Sequence, residues 1–343
     1  MHQQHNQRLR VAVIGAGVAS PPHFKSLHDL RDEVEVAWVW GRDAQRVAAA
    51  GLPVGATVTT RLDDVLADAS VQAALVLTPP QTHLHIVEQL AAAGKHVLVE
   101  KPLELTLAQS EQLVATCERH GVQLAVMLQH RASPAALHLS SMLQAGELGE
   151  LLSASASIRW WRPQSYYDQP GRGTLARDGG GVLMTQAIHT LDLLLHLAGA
   201  PARVTGLVGT RLHRMETEDT AGALLQWADG AVGVVDATTA AYPGYPERIA
   251  LNFARGTATL EAGALRVERP GAEPLLVGQP QASGSGANLM GFDHAGHRAV
   301  LQDFVQAIAQ QRAPLTAGRS ALAAHRLIDA IVRSSRTGAA VTL

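Results

Sequence analysis

The segment that packing explains least is Gly94-Lys95-His96-Val97-Leu98-Val99-Glu100-Lys101-Pro102-Leu103, where a lysine and a carboxylate end a short apolar strand that a proline stops. A charge leaving a buried strand needs a partner or a task. An ammonium there can stabilise negative charge developing on an oxygen, and its pKa responds to burial and to neighbouring charge. The second candidate is His189, in Gly179-Gly180-Gly181-Val182-Leu183-Met184-Thr185-Gln186-Ala187-Ile188-His189-Thr190-Leu191-Asp192. Read as a helix beginning after the glycines, positions 185, 189 and 192 stand at i, i+4 and i+7 and share one face. Histidine titrates near neutral pH. Such a pair could take a proton from a hydroxyl and polarise its oxygen. His189 suits the first role and Lys101 the second, and the two can be exchanged.

A third constellation could hold a nucleotide. Arg10-Val-Ala-Val-Ile-Gly15-Ala-Gly17-Val18-Ala19-Ser20 is a continuously apolar run entering a glycine turn, the pattern of a strand buried on both faces of a parallel sheet. Gly15 and Gly17 allow a tight turn and close approach of a diphosphate. The following helix, with Pro21-Pro22 in its first turn, offers free amides near Val18 and Ala19. The strand at residues 34–40 ends in Gly41-Arg42-Asp43. Glycine at the usual acidic position with arginine next tilts the dinucleotide toward NADP, while Asp43 keeps NAD open.

The elements that must hold these groups alternate regularly. A helical segment at 63–69, a strand at 71–77 ended by Thr78-Pro79-Pro80, a helix at 81–93, a strand at 96–99, a helix at 105–120 and a strand at 122–128 predict a doubly wound parallel sheet. His83 opens one of these helices and lies either along the cofactor or on the surface of a first turn. His83 and His85 fall on different helix faces, and His294, His297 and Asp293 lack a third ligand at suitable spacing, so no metal site is predicted.

After residue 132 the pattern changes. A helix at 133–145 and an alternating strand at 152–161 lead through Trp161 into a polar, aromatic loop, 162–178, with Tyr166, Tyr167 and Arg172. Aromatic faces stack on sugar rings and arginine forks hold carboxylates, so the loop is either a substrate loop or a surface or oligomer contact. Short alternating segments at 204–210, 221–227, 230–237, 248–254 and 257–261 predict an antiparallel sheet, and 278–288 a flexible loop. Helices are expected at 298–311 and 320–335.

The order Gly15-x-Gly17, Thr78-Pro79-x-x-x-His83, Ala93-Gly94-Lys95-His96-Val97 and Glu100-Lys101-Pro102 resembles the Gfo/Idh/MocA family of NAD(P)-dependent oxidoreductases that act on sugars, inositols and related polyols. The resemblance covers nearly the whole chain. It implies an α/β protein with a Rossmann dinucleotide-binding domain, residues 1–128, and a substrate-binding and oligomerisation α+β domain, residues 129–343, with a large open, mainly antiparallel sheet. It places His189 opposite Lys101 at the nicotinamide, where the domains meet. Glu100 either pairs with a cation or helps hold the lysine or the nicotinamide ribose. Thr78, Pro79 and His83 join the cofactor set, and Thr185, Asp192, Trp161, Tyr166, Tyr167 and Arg172 the substrate set. The implied activity is hydride transfer between NAD or NADP and a secondary alcohol or ketone of a sugar, sugar acid or polyol. Redox-assisted glycoside cleavage with an internally recycled cofactor and a non-catalytic NAD(P) sensor are the alternatives. The family's usual aspartate, four residues before the histidine, falls here on Thr185, which weakens an inositol-type reading most.

Composition narrows the partners. The chain has 343 residues and a formal net charge of −2 with no lysine or arginine run, which gives no electrostatic reason for nucleic acid or an anionic membrane. No run approaches the length of a membrane span; the best, 191–200, is interrupted by His196. Residues 1–10 read as a frayed polar tail without a signal peptide's apolar segment. The single cysteine, Cys117, reads as a small core residue, and a cytoplasmic location is the default. The expected partners are a sugar-like small molecule and further copies of the chain, as a homodimer or homotetramer through the sheet.

Overall fold

The computed structural model describes residues 8–280, 285–286 and 293–343, with most of the expected frayed tail and of the loop at 278–288 lying outside the described residues. The chain divides into two compact units, residues 8–104 with Ala108–Gln129 and Asp293–Ser320, and Leu105–Leu107 with residues 130–292 and Ala321–Leu343. A single boundary after residue 128 misplaces the late segment. The helix Ala295–Gln310 packs on the helix Ser20–Asp29, so a stretch near the C-terminus returns to the first unit.

The first unit is built on six strands, β1 (Leu9–Ile14), β2 (Val34–Trp40), β3 (Thr57–Thr59), β4 (Ala73–Val76), β5 (His96–Val99) and β6 (Leu124–Val126), in the order β3-β2-β1-β4-β5-β6. All neighbouring pairs run parallel, the doubly wound arrangement the alternation predicts. Val11 to Ile14, Ala73 to Val76 and Val97 to Val99 are buried on both faces, which is why these strands read as unbroken apolar runs. Leu9 and Arg10, expected in the tail, already pair with β2.

The second unit carries β7 (Leu151–Arg159), β8 (Arg203–Gly209), β9 (Thr220–Gln226), β10 (Val232–Thr238), β11 (Arg248–Phe253), β12 (Gly256–Glu261), β13 (Ala264–Glu268), β14 (Leu275–Val277) and β15 (Val341–Thr342). They form one sheet in the order β14-β13-β12-β11-β7-β10-β9-β8-β15, antiparallel except for the parallel pair β10 and β7. One face packs against the helices Pro134–Gln144, Ile188–Ala198 and Gly318–Thr337 around Leu139, Leu191, Leu194, Leu327 and Ile331. The other is open. Burial alternates along β8, β9 and β10, and Thr205, Leu224, Val234 and Ser155 stand opposite one another in a row across the strands.

The helical stretch Leu175–Ala198 is long and apolar enough to cross a bilayer, contrary to the sequence expectation, but 83% of its apolar window is buried in the fold. It is the central core helix of this unit. Sheet and helices bury its leucines from Leu191 to Leu197, and it also carries the polar His189, Asp192 and His196.

Candidate active site

In the first unit the parallel register decides what lies at one edge. Ile14 pairs with Val76 and Val76 with Val99, so the residues that follow β1, β4 and β5 leave the same carboxyl edge side by side. These are the Gly15–Ala19 turn, Thr78-Pro79 and Glu100-Lys101. A ligand crevice is expected at such an edge. Gly15 has φ +105°, and a Cβ there would meet the Leu77 and Thr78 backbone at 3.1 Å, so glycine is required. At Gly17 a Cβ would meet nothing within 4 Å, which leaves the open cradle a diphosphate needs. Ser20 turns inward instead, donating from its amide and its hydroxyl to the Gly17 carbonyl at 3.1 and 2.8 Å. Pro21 and Pro22 carry no N–H, so anion binding falls on the turn amides at Gly17, Val18 and Ala19. These residues fit a dinucleotide.

At the end of β2, Asp43 caps the helix Ala44–Ala48 by accepting from the amides of Gln45 and Arg46 at 3.0 and 3.1 Å. Both bonds fall on Oδ1, and Asp43 and Arg42 are exposed side by side.

Behind Lys101 the carboxylate of Glu100 is held from two sides. Its Oε1 is 2.7 Å from His23 Nε2, and its Oε2 accepts from the Lys101 amide at 3.1 Å. Burial alone would raise the Glu100 carboxyl, but the His23 hydrogen bond and charge more than offset it and hold it at about 2. The His297 ring meets that of His23 edge-on at 5.1 Å, and burial with the neighbouring His23 pushes its pKa down to about 4. His23, Glu100 and His297 bring three potential ligand atoms within 4.8 Å of one another. The 2.7 Å spacing is a hydrogen bond, shorter than the roughly 3.3 Å that separates two ligands on one tetrahedral zinc. The cluster fixes the strand end that presents Lys101. The Lys101–Pro102 peptide is cis.

His83 is fully buried, with Nε2 2.8 Å from the Thr78 carbonyl and Nδ1 3.1 Å from those of Pro102 and Leu103. Burial pushes its pKa down, although the carbonyl acceptors oppose this. Neither placement expected from sequence holds. His83 is not a surface residue, and both ring nitrogens face backbone, so it joins the segments after β4 and β5 from behind.

In the second unit His189 lies in the helix Ile188–Ala198 and is 8% exposed. The preceding segment, Leu183–Ala187, is a π turn, so the uniform α-helical spacing that predicts one face for residues 185, 189 and 192 does not apply. Thr185 donates its hydroxyl to the Gly181 carbonyl at 2.7 Å and also contacts Gln186 Oε1. Asp192 is 1% exposed and receives Arg131 Nε at 2.7 Å in a two-point pair, so it serves the core and not a substrate. His130, the residue before that arginine, places its ring 5.2 Å from the His189 ring at 37°. Glu218 accepts from the Gly181 and Leu183 amides at 3.0 and 3.2 Å and so anchors the start of the turn.

The loop at 162–178 is only partly as expected. Tyr166 is half-buried, with the Arg172 guanidinium 4.7 Å above its ring and its hydroxyl 3.4 Å from Gln186 Nε2. Arg172 is 3.5 Å from the Asp178 carboxylate. Tyr167 turns inward instead, its hydroxyl 2.8 Å from Thr239 Oγ1 and its ring against His213. It is a packing residue, because adjacent side chains in this short helical turn cannot face the same way. Trp161 is half-buried, edge-on to Tyr242 at 5.5 Å.

Comparison with known proteins agrees with this geometry. Residues 9–128 match the family described as oxidoreductases with an NAD-binding Rossmann fold, and residues 136–259 match its GFO/IDH/MocA C-terminal domain. The chain belongs to the Gfo/Idh/MocA family. This Gfo/Idh/MocA protein is therefore an oxidoreductase with an NAD-type cofactor site. It is 28% identical to D-apiose dehydrogenase of Paraburkholderia graminis over 98% of this chain and 90% of that protein. It is 27% identical to inositol 2-dehydrogenase 2 of Paenarthrobacter aurescens over 97% and 98%. Among solved structures it is similar to the WlbA dehydrogenase of Bordetella pertussis in complex with NADH and UDP-GlcNAcA, at a TM-score of 0.84 and 28% identity over 98% of this chain and 99% of that one.

Sequence reasoning missed His23, His130, Arg131, Glu218 and Glu247, the last with its Oε1 3.9 Å from His130 Nε2, in this Gfo/Idh/MocA chain. His130 and Arg131 had a usable signal, since they follow β6 at the carboxyl edge of a parallel sheet. Glu218 and Glu247 had none.

Proposed function

We propose that this protein is a dehydrogenase or reductase that exchanges hydride between NAD(P) and a secondary alcohol or ketone of a sugar, sugar acid or polyol. One observation carries the reading. The parallel register places Lys101 at the same sheet edge as the open Gly17 cradle, two strands away, with Glu100 held behind it. The names of the relatives, two dehydrogenases of sugar-like polyols and one structure holding NADH with a nucleotide sugar acid, support the substrate class.

A bound nicotinamide supplies or accepts the hydride. The chain's own groups handle charge and proton. Lys101 donates to the substrate oxygen and stabilises the negative charge it develops, and His189 takes the hydroxyl proton in the oxidative direction. Gly15 to Ala19 hold the diphosphate, Thr78 and Pro79 line the cofactor's path, and Glu100 keeps the Lys101 backbone in place. Arg42 beside Gly41 favours NADP, while Asp43, which caps the following helix through Oδ1 alone, keeps NAD open. Tyr166, Arg172, Gln186 and Trp161 form the substrate side. Thr185, neutral where the family usually has aspartate, admits a substrate bearing its own carboxylate.

The open face of the large sheet is assigned to self-association, as a homodimer or homotetramer. Exposed Leu224, Val232 and Val234, set among small polar side chains on neighbouring strands, form a surface that a second copy can cover. A cytoplasmic location accords with Cys117, a buried lone thiol that burial pushes up to about 12 and that therefore resists oxidation.

The deciding experiment is turnover on a panel of sugars, sugar acids and polyols by Lys101→Ala and His189→Ala. Both variants are expected to bind cofactor and to lose about 10²-fold or more in kcat. Parental activity in both overturns the assignment. Turnover without net change in nicotinamide absorbance points to redox-neutral cleavage instead.

A further inference from the structure

The aspartate that the family usually sets four residues before its histidine is Thr185 here, and the Thr185 hydroxyl bonds back onto its own helix turn. A histidine that gains a proton becomes a cation, and inside a protein that cation needs a nearby negative charge. Two other carboxylates lie near His130, the neighbour of His189. Asp192 is engaged with the Arg131 guanidinium through both of its oxygens. Glu247 differs. Its Oε1 stands 3.9 Å from His130 Nε2, the side chain is 16% exposed, and its buried Oε2 has no hydrogen-bond partner among the described residues.

We propose that Glu247 and His130 act as a positioning pair for His189, supplying through the second imidazole the negative charge that Thr185 does not carry. The inference rests on the assignment of His189 as the proton acceptor. In the oxidative direction the substrate O–H bond breaks, the proton forms an N–H bond on His189, and the electron pair stays on the substrate oxygen. The imidazolium so formed lies against the His130 ring, whose centroid is 5.2 Å away. The Glu247 carboxylate, 3.9 Å from His130 Nε2, offsets the positive charge that forms on His189. The carboxylate has moved from the turn before the histidine to the segment leading into β11. Because His130 and Glu247 lie in the same compact unit as His189, the triad is built before any substrate arrives.

The test uses the full-length protein with the near-isosteric variants Glu247→Gln and His130→Asn, singly and together, beside His189→Ala. The expected result is a fall in kcat of about 10- to 100-fold in each single variant, with cofactor affinity and thermal midpoint close to parental. The double variant should lose little more than the more affected single, because the two residues act as one unit. A second readout is independent of turnover. The midpoint of the His189 ring-nitrogen NMR titration should move to lower pH in Glu247→Gln, which removes a negative charge while leaving both rings in place. Single variants within about twofold of parental kcat with an unmoved His189 midpoint overturn the proposal, as do losses that multiply in the double variant. If His189→Ala itself keeps parental turnover, the underlying reading of the site fails instead, and the two failures are told apart by that one control.

Discussion

Arg131, next to His130, and Asp192, three residues after His189, form a buried two-point ion pair, with Arg131 Nε 2.7 Å from Asp192 Oδ2 and the two histidine rings 5.2 Å apart. The pair joins the short 3₁₀ turn after β6 to the core helix Ile188–Ala198, and so sets the distance between the two histidines. Asp192 is therefore engaged by Arg131 and anchors the helix that carries His189.

Removing one member of that pair leaves an unmatched buried charge. Asp192→Ala is expected to destabilise the protein by about 3–5 kcal/mol, read as a lower urea midpoint. The double variant Arg131→Met with Asp192→Leu removes both charges and should recover much of that loss. If the double variant is as unstable as Asp192→Ala, the pair is not the source of the effect.

Acid should loosen the first unit through His297. Its folded pKa of about 4 lies below the ordinary 6.5, because it is buried among His23, Glu100, Lys101 and His294. The unfolded chain then binds more protons between these values, so stability falls as pH drops from about 6.5 to 4, by roughly 3 kcal/mol for this group. Glu100 acts lower down, its share being present above about 4.5 and lost as pH falls toward 2. His297→Gln should reduce the slope of urea midpoint against pH between 6.5 and 4.5. His325, also pushed down to about 4 by burial, sustains the remaining slope. An unchanged slope would contradict the assignment.

Cofactor preference is expected to follow Arg42. With Asp43 engaged as a helix cap, Arg42→Ala should raise the KM for NADP by about tenfold, the size of one charge-assisted contact, and leave NAD within about twofold. Equal losses for both dinucleotides would remove the reason for preferring NADP.

Self-association is expected to depend on the open sheet face. Leu224 and Val234 face each other across β9 and β10 and are 62% and 47% exposed. Leu224→Glu should shift sedimentation toward a single copy without lowering the thermal midpoint of the chain itself. A parental mass for that variant places the contact elsewhere.

The first sheet was legible because strands buried on both faces read as apolar runs and glycine turns mark where helices begin. Gly15, Gly17 and Lys101 needed only that pattern, since a parallel sheet sends every strand end to the same edge. The family, too, was readable from a handful of local motifs. Other features depend on pairings distant in sequence. The return of Asp293–Ser320 to the first unit, the inward turn of Tyr167, the engagement of Asp192 by Arg131 and the burial of His83 all follow from what each residue meets after folding. A π turn spoiled the uniform spacing assumed around Thr185, because the sequence period says which residues are apolar but not how many complete a turn. The sequence by itself determined the fold class and the two groups, Lys101 and His189, whose chemistry suits alcohol oxidation. Only the tertiary structure decided which carboxylate stands near the histidines. Electrostatic partnership is set by a few ångströms through space, and Glu247 and His130, far apart in sequence, become neighbours only when the second unit folds.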